Sequence, residues 1–250
     1  MRSNPQFARR ARHWFALLLV LAAPFVGSAE PLPTADPEPA FGIRLEEAWI
    51  TLPDGVRLAA DLYRPADPQS GDAAEGPFPV LLEYLPYRKT EARSRNYSLY
   101  SYFVERGYVV ARVDIRGTGN SEGRLIPHEY SDIEQADGEV VIDWLAGQPW
   151  SNGKVGMFGG SYLGITQLMA AARKPAHLKA IMPHVALFDL YDMGSPGGIP
   201  REDFTRTWSG LTQHLDLQPG VAPVDEDKDG RLLKAAMEEH RKNRALADIM

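Results

Sequence analysis

The 250-residue chain contains no cysteine. That excludes disulfides, thiolate nucleophiles and Cys-ligated metals. It also lacks a basic excess, with 27 Lys and Arg against 33 Asp and Glu for a net charge of −6. Nucleic-acid binding needs a clustered positive surface, so that class of partner is set aside. Low-complexity tracts and fixed-period repeats are missing as well. The apolar run Trp14–Val26 has only thirteen residues, short of the roughly 20 that span a bilayer.

What is present divides into a leader and a globular body. Arg2, Arg9, Arg10 and Arg12 precede the apolar run, and Gly27-Ser28-Ala29 follows it with small residues suited to cleavage. Residues 1–29 therefore read as a secretory signal peptide. Its removal takes Lys plus Arg from 27 to 23 against 33 acids, leaving a charge of about −10. A Cys-free exported protein suits an oxidising compartment such as a bacterial periplasm, or secretion. After cleavage no membrane association is expected. Residues 30–40 carry Pro31, Pro33, Pro37 and Pro39 and read as a Pro-rich linker. The body is 44% hydrophobic in a chain long enough for one domain, or one and a part.

Ile43–Thr51 and Val56–Tyr63 flank Pro53-Asp54-Gly55, a strong hairpin signal. In the second run Val56, Leu58, Ala60 and Leu62 alternate with Arg57 and Asp61, which predicts a half-buried strand. Further strands are expected at Val80–Tyr84, Tyr108–Val113, Lys154–Phe158 and Leu178–Val185, with helices at Tyr97–Arg106, Asp132–Leu145 and Tyr162–Arg173. Strands alternating with helices after a hairpin predict an α/β fold with a mostly parallel sheet covered on both faces. The expected α/β core spans 41–190, and 191–250 reads as the beginning of a helical cap.

The chemistry is concentrated at Gly159-Gly160-Ser161-Tyr162-Leu163-Gly164, between a strand and a helix. A Ser on such a turn sits in strained backbone with its hydroxyl pushed outward, and flanking small residues let strand and helix approach. The helix N-terminus beneath it turns the Tyr162 N–H toward a developing oxyanion. The general elbow is G-x-S-x-G, whereas here Leu163 holds the second glycine position and Gly164 comes one residue later. By pattern alone, an ordinary tight turn or helix cap is the competing reading.

Gly-Gly-Ser-Tyr-Leu-Gly resembles the G-x-S-Y-x-G elbow of the cocaine-esterase-like (CocE/NonD) hydrolases, a group that includes X-prolyl dipeptidyl-peptidases and α-amino-acid ester hydrolases. Pro53–Leu58 and Asp61–Pro65 resemble that group's opening hairpin, Leu85-Pro86-Tyr87 its N-P-Y segment, Asp114–Gly123 its D-x-R-G-x-G-x-S-x-G loop, and Trp150–Met157 its approach to the elbow. The resemblance covers about residues 43–193. It implies an α/β-hydrolase fold, Ser161 as nucleophile, and an oxyanion hole formed by the Tyr87 hydroxyl and the Tyr162 N–H. It implies a small-molecule ester, amide or peptide substrate, no cofactor and no metal. The oligomeric state is left open.

The chain order in α/β-hydrolases is Ser, then acid, then His. The acid and base are therefore expected beyond residue 250, and the chain is expected to be a fragment with little activity of its own. A non-catalytic remnant of the fold is the alternative. His177 and His184 follow Ser161 but read as a helix-end charge and a strand-end hydrogen-bonding group. Asp189 and Asp192 are equally weak candidates for the acid. Asp225-Glu226-Asp227-Lys228-Asp229-Gly230 begins like a calcium loop, but Ala236 replaces the acid at position 12, so a solvated turn before a helix is expected. Gly117-Thr118-Gly119 lacks the third glycine of a dinucleotide fingerprint. Asp114 and Arg116 are expected to brace each other or a neighbouring loop.

Overall fold

The computed structural model describes residues 36–91, 96–125, 128–187, 189–217 and 226–244. The export signal expected at 1–29 and the first residues of the Pro-rich stretch lie outside them. Contacts divide the chain into Met1–Pro37 and Glu38–Met250, and the strands and helices of the described residues lie in the second unit.

Strand β1 (Gly42–Thr51) turns at Pro53-Asp54-Gly55 into β2 (Arg57–Ala66). The turn is closed by Gly55 N–H to Leu52 O at 2.9 Å and by Val56 N–H to the Asp54 carboxylate at 3.2 Å. The strands pair antiparallel from Gly42 opposite Ala66 to Thr51 opposite Arg57. Next come β3 (Phe78–Leu85), α1 (Tyr97–Val104), β4 (Val109–Asp114), α2 (Asp132–Ala146), β5 (Ser151–Gly160), α3 (Tyr162–Arg173) and β6 (Leu178–His184). The six strands lie in the order β1-β2-β4-β3-β5-β6. The β4–β3, β3–β5 and β5–β6 pairs are parallel, whereas β2 is antiparallel to both neighbours.

Both faces are covered. On one, Val141, Ile142 and Leu145 of α2 and Leu163 and Ala170 of α3 pack on Val80, Leu82, Ala111 and Met157. On the other, Tyr100 and Val104 of α1 pack on Tyr63, Val110 and Phe158. Helix α2 starts where expected, with the Ser131 hydroxyl accepting the Glu134 N–H at 3.3 Å.

Strand β2 is buried on both faces rather than half-buried, and Asp61 is fully enclosed. Its carboxylate meets the ammonium of Lys89, itself completely buried. Alternation of polar and apolar residues marks an exposed face only where the polar residues find no buried partner.

Beyond β6 the chain forms α4 (Leu190–Gly194), a single 3-10 turn at Pro196–Gly198, α5 (Glu202–Leu217) and α6 (Arg231–His240). The amphipathic α5 and α6 belong to the same compact unit as the sheet. They are tied to the loop after β4 by Asp216, Glu239, His240 and Asn243. The acids singled out before α6 act as its cap. The Asp227 carboxylate accepts Leu232 and Leu233 N–H at 2.9 and 2.8 Å, and Asp229 accepts Arg231 N–H. Asp225 lies outside the described residues.

Candidate active site

Ser161 is the single residue between β5 and α3, with φ 60° and ψ −125°. A non-glycine residue adopts that conformation only when its surroundings enforce it. Here the Ser161 N–H donates to His184 O at 3.1 Å, while Ser161 O accepts from Gly164 and Ile165 at 2.8 and 3.0 Å. Two glycines permit the crossing. A Cβ on Gly160 would lie 2.8 Å from the His184 ring, and one on Gly164 would lie 2.8 Å from His184 O. Gly164 thus provides the close helix–strand approach, and Leu163 can stand where the general elbow has glycine.

The three residues expected to act together are together. The Tyr87 hydroxyl lies 3.3 Å from Ser161 Oγ, and the Tyr162 N–H points at the same hydroxyl. Burial raises the Tyr87 pKa above the ordinary phenol value, partly countered by these two contacts. Tyr87 therefore keeps its proton at neutral pH and can donate it. Ser161 is exposed, whereas Tyr162 is buried.

Several residues that shape the site carried no signal in the sequence. The Tyr162 ring lies near-parallel to those of Tyr130, 4.1 Å away, and Trp208, 6.0 Å away. Its hydroxyl reaches the Glu134 carboxyl at 2.8 and 2.9 Å. Glu134 also accepts the Tyr130 N–H at 2.7 Å. Burial pushes Glu134 up to about 8, against the opposing pull of the Tyr162 hydrogen bond. The Trp208 indole N–H donates to Glu129 at 2.7 and 2.9 Å. Burial raises the pKa of Glu129 in turn. Trp208 comes from α5, 47 residues after Ser161, a separation that no local motif spans.

Beside Ser161 opens a cavity of about 540 Å³, walled by Tyr130, Ile165, Leu187, Met193, Phe204 and Trp208 among others. Its predominantly apolar wall suits an acyl group. The histidines stand elsewhere. His177 Nδ1 is 3.0 Å from Gly153 O at the far end of β5. His184 lends Ser161 its carbonyl. Among the described residues no histidine hydrogen-bonds the Ser161 hydroxyl. Asp189 caps α4 through the Tyr191 N–H at 2.8 Å.

Asp114 and Arg116 do not brace each other. Asp114 accepts the Lys89 and Asn120 N–H groups, and Arg116 pairs with Asp137 and Asp54. The part of the expectation that stands is the bracing of neighbouring loops.

Residues 54–249 match the X-Pro dipeptidyl-peptidase (S15) family. The chain belongs to that family. Among curated relatives, the cocaine esterase of Rhodococcus sp. (strain MB1 Bresler) is 43% identical over 180 residues, covering 68% of this chain and 30% of the esterase. The solved structure of a CocE/NonD family hydrolase from Staphylococcus aureus superposes with a TM-score of 0.60 at 26% identity, covering 85% of this chain and 42% of that one. An α-amino acid ester hydrolase superposes with a TM-score of 0.52 at 25% identity, covering 88% and 39%. The sheet is thus that of an α/β-hydrolase, in part. The chain spans about a third of the length of the curated relatives it matches.

Proposed function

We propose that this chain carries the nucleophile and oxyanion hole of a serine hydrolase acting on small-molecule esters, amides or peptides. The observation that supports this best is the strained Ser161 with Tyr87 Oη at 3.3 Å and the Tyr162 N–H on the same side. Ser161 Oγ attacks the substrate carbonyl, and its proton passes to a general base. The carbonyl oxygen becomes an oxyanion held by the Tyr87 hydroxyl and the Tyr162 N–H. The alcohol or amine departs with a proton, leaving an acyl-enzyme with its acyl chain in the apolar cavity. Water then attacks, releases the acid and returns the proton to Ser161. The order Ser, acid, His places the base after the nucleophile in sequence. Binding and an oxyanion hole still leave roughly 10³–10⁴-fold rate enhancement when triad members are absent.

A fluorophosphonate probe tests this reading. Slow labelling of the purified chain, abolished in Ser161→Ala, is expected. Labelling that persists in Ser161→Ala, or wild-type protein inert at saturating probe, overturns it. Tyr87→Phe is expected to slow labelling by about 10²–10³-fold.

Export belongs to the same proposal, supported by the basic start, the thirteen-residue apolar run and the small residues at 27–29. N-terminal sequencing of periplasmic or secreted protein checks it, with a new terminus at Glu30 expected.

A further inference from the structure

We propose that Asp114 is a positioning residue that holds Tyr87 against Ser161. This rests on the reading of Tyr87 as an oxyanion donor but concerns its placement alone. Asp114 ends β4, has no exposure to solvent and lies beneath two loops. One carboxylate oxygen accepts the Lys89 N–H at 2.5 Å, two residues past Tyr87. The other accepts the Asn120 N–H at 2.9 Å, and the Asp114 carbonyl accepts the Ser121 hydroxyl at 2.7 Å. The loop backbone wraps the carboxylate so closely that a Cβ on Gly119 would lie 2.3 Å from it.

The Tyr87 segment needs such a restraint. Arg88 has φ 63°, a left-handed conformation that a long side chain takes only under constraint. This reversal between Tyr87 and Lys89 directs the two side chains apart. Tyr87 goes to Ser161, and Lys89 goes inward to Asp61 and Glu47. Fixing the Lys89 N–H fixes the far side of the reversal. Arg112 adds a second restraint by donating to Lys89 O. The opposite loop is held from outside, since Asp216 accepts the Gly119 N–H at 3.1 Å and Asn243 donates to Gly117 O at 2.8 Å. Asp114 therefore joins the α5–α6 region to the oxyanion loop through one carboxylate.

The test is ¹⁹F NMR of the 250-residue chain with 3-fluorotyrosine at position 87, and a second sample labelled at Tyr63 as control. Tyr63 packs on Tyr100 across the other face of the sheet. Asn at 114 keeps the shape but offers only one acceptor to two N–H donors. In Asp114→Asn the Tyr87 resonance is expected to shift or split while the Tyr63 resonance stays. An unmoved Tyr87 resonance overturns the proposal. Both resonances moving also overturns it, because that marks a general structural role. Should the variant not fold, the wild type is titrated from pH 8 to 5. Burial pushes the Asp114 carboxyl up to about 6, and Lys89, Arg112, Asp61 and Asp216 are the charged groups facing it. A Tyr87 shift with a midpoint near 6 supports the proposal, and a flat response overturns it. Neither measurement needs turnover. A moved Tyr87 alongside unaffected labelling in Tyr87→Phe would sink the oxyanion reading and leave the positioning intact.

Discussion

Two segments meet at the Ser161 hydroxyl, and they are held in opposite ways. The elbow, residues 159–164, is fixed by backbone hydrogen bonds and by the absence of side chains at Gly160 and Gly164. The Tyr87 segment is fixed by buried charges: Lys89 on Asp61, Arg112 on Glu83, and Asp114 on the Lys89 N–H. The first device needs only the elbow and the adjoining strand β6, whose His184 carbonyl accepts the Ser161 N–H. The second depends on four strands arriving in register, because its partners come from β1, β2, β3 and β4. Backbone bonds impose a geometry wherever the chain can turn. Buried ions impose one only when every partner is present, since an unpaired buried charge costs far more than a pair contributes.

The sharpest way to break the contrast is Lys89→Ala. It strips a cation from a fully buried site and is expected to cost roughly 3–5 kcal/mol in denaturant unfolding. Lys89→Met combined with Asp61→Leu and Glu47→Gln should recover most of that loss, because the buried charges are then replaced together rather than left in part. A triple variant no more stable than Lys89→Ala would show that the site needs the charges themselves.

Gly164→Ala attacks the other segment. The added methyl meets His184 O at 2.8 Å, and such overpacking costs about 1–3 kcal/mol. Labelling of Ser161 should fall with it, because the helix that carries the Tyr162 N–H must shift. Unchanged stability and labelling would mean that the elbow tolerates the wider crossing.

A pH series distinguishes burial from pairing. Unfolded, Glu134 releases its proton near 4.5; folded, burial holds that proton until about pH 8. The folded state binds more protons between those values, so this contribution to stability is complete below about 4.5 and is lost as pH rises to 8. Asp216 behaves alike, raised to about 8 by burial from 3.8. The Tm should therefore fall between pH 5 and 8. Glu134→Gln, which keeps a donor for the Tyr162 oxygen and an acceptor for the Tyr130 N–H, should flatten the slope. An unaltered slope would remove Glu134 as its source.

The smallest effect is expected at the exposed pair Arg206–Glu202 on α5, about 77% exposed on each side. Glu202→Gln should change unfolding free energy by about 0.5 kcal/mol or less, which sets the scale against which the buried ions are judged.

What the sequence determined by itself was whatever depends on neighbours along the chain. Asp54-Gly55 specified the hairpin, Ser131 the start of α2, and Gly-Gly-Ser-Tyr-Leu-Gly the strand–turn–helix that strains Ser161. Each is a backbone conformation that a few residue types alone can supply. Tyr87 was legible only through the family resemblance, since a Pro-Tyr pair at a strand end has no distinctive local physics. Only the tertiary structure decided that Asp61 faces Lys89 rather than water, and that Arg116 reaches Asp137 and Asp54 rather than Asp114. It alone decided that Trp208 and Glu134 grip the ring and hydroxyl of Tyr162. Those contacts join residues tens of positions apart. Their energy comes from burial and charge, which exist only once the sheet has brought the partners together.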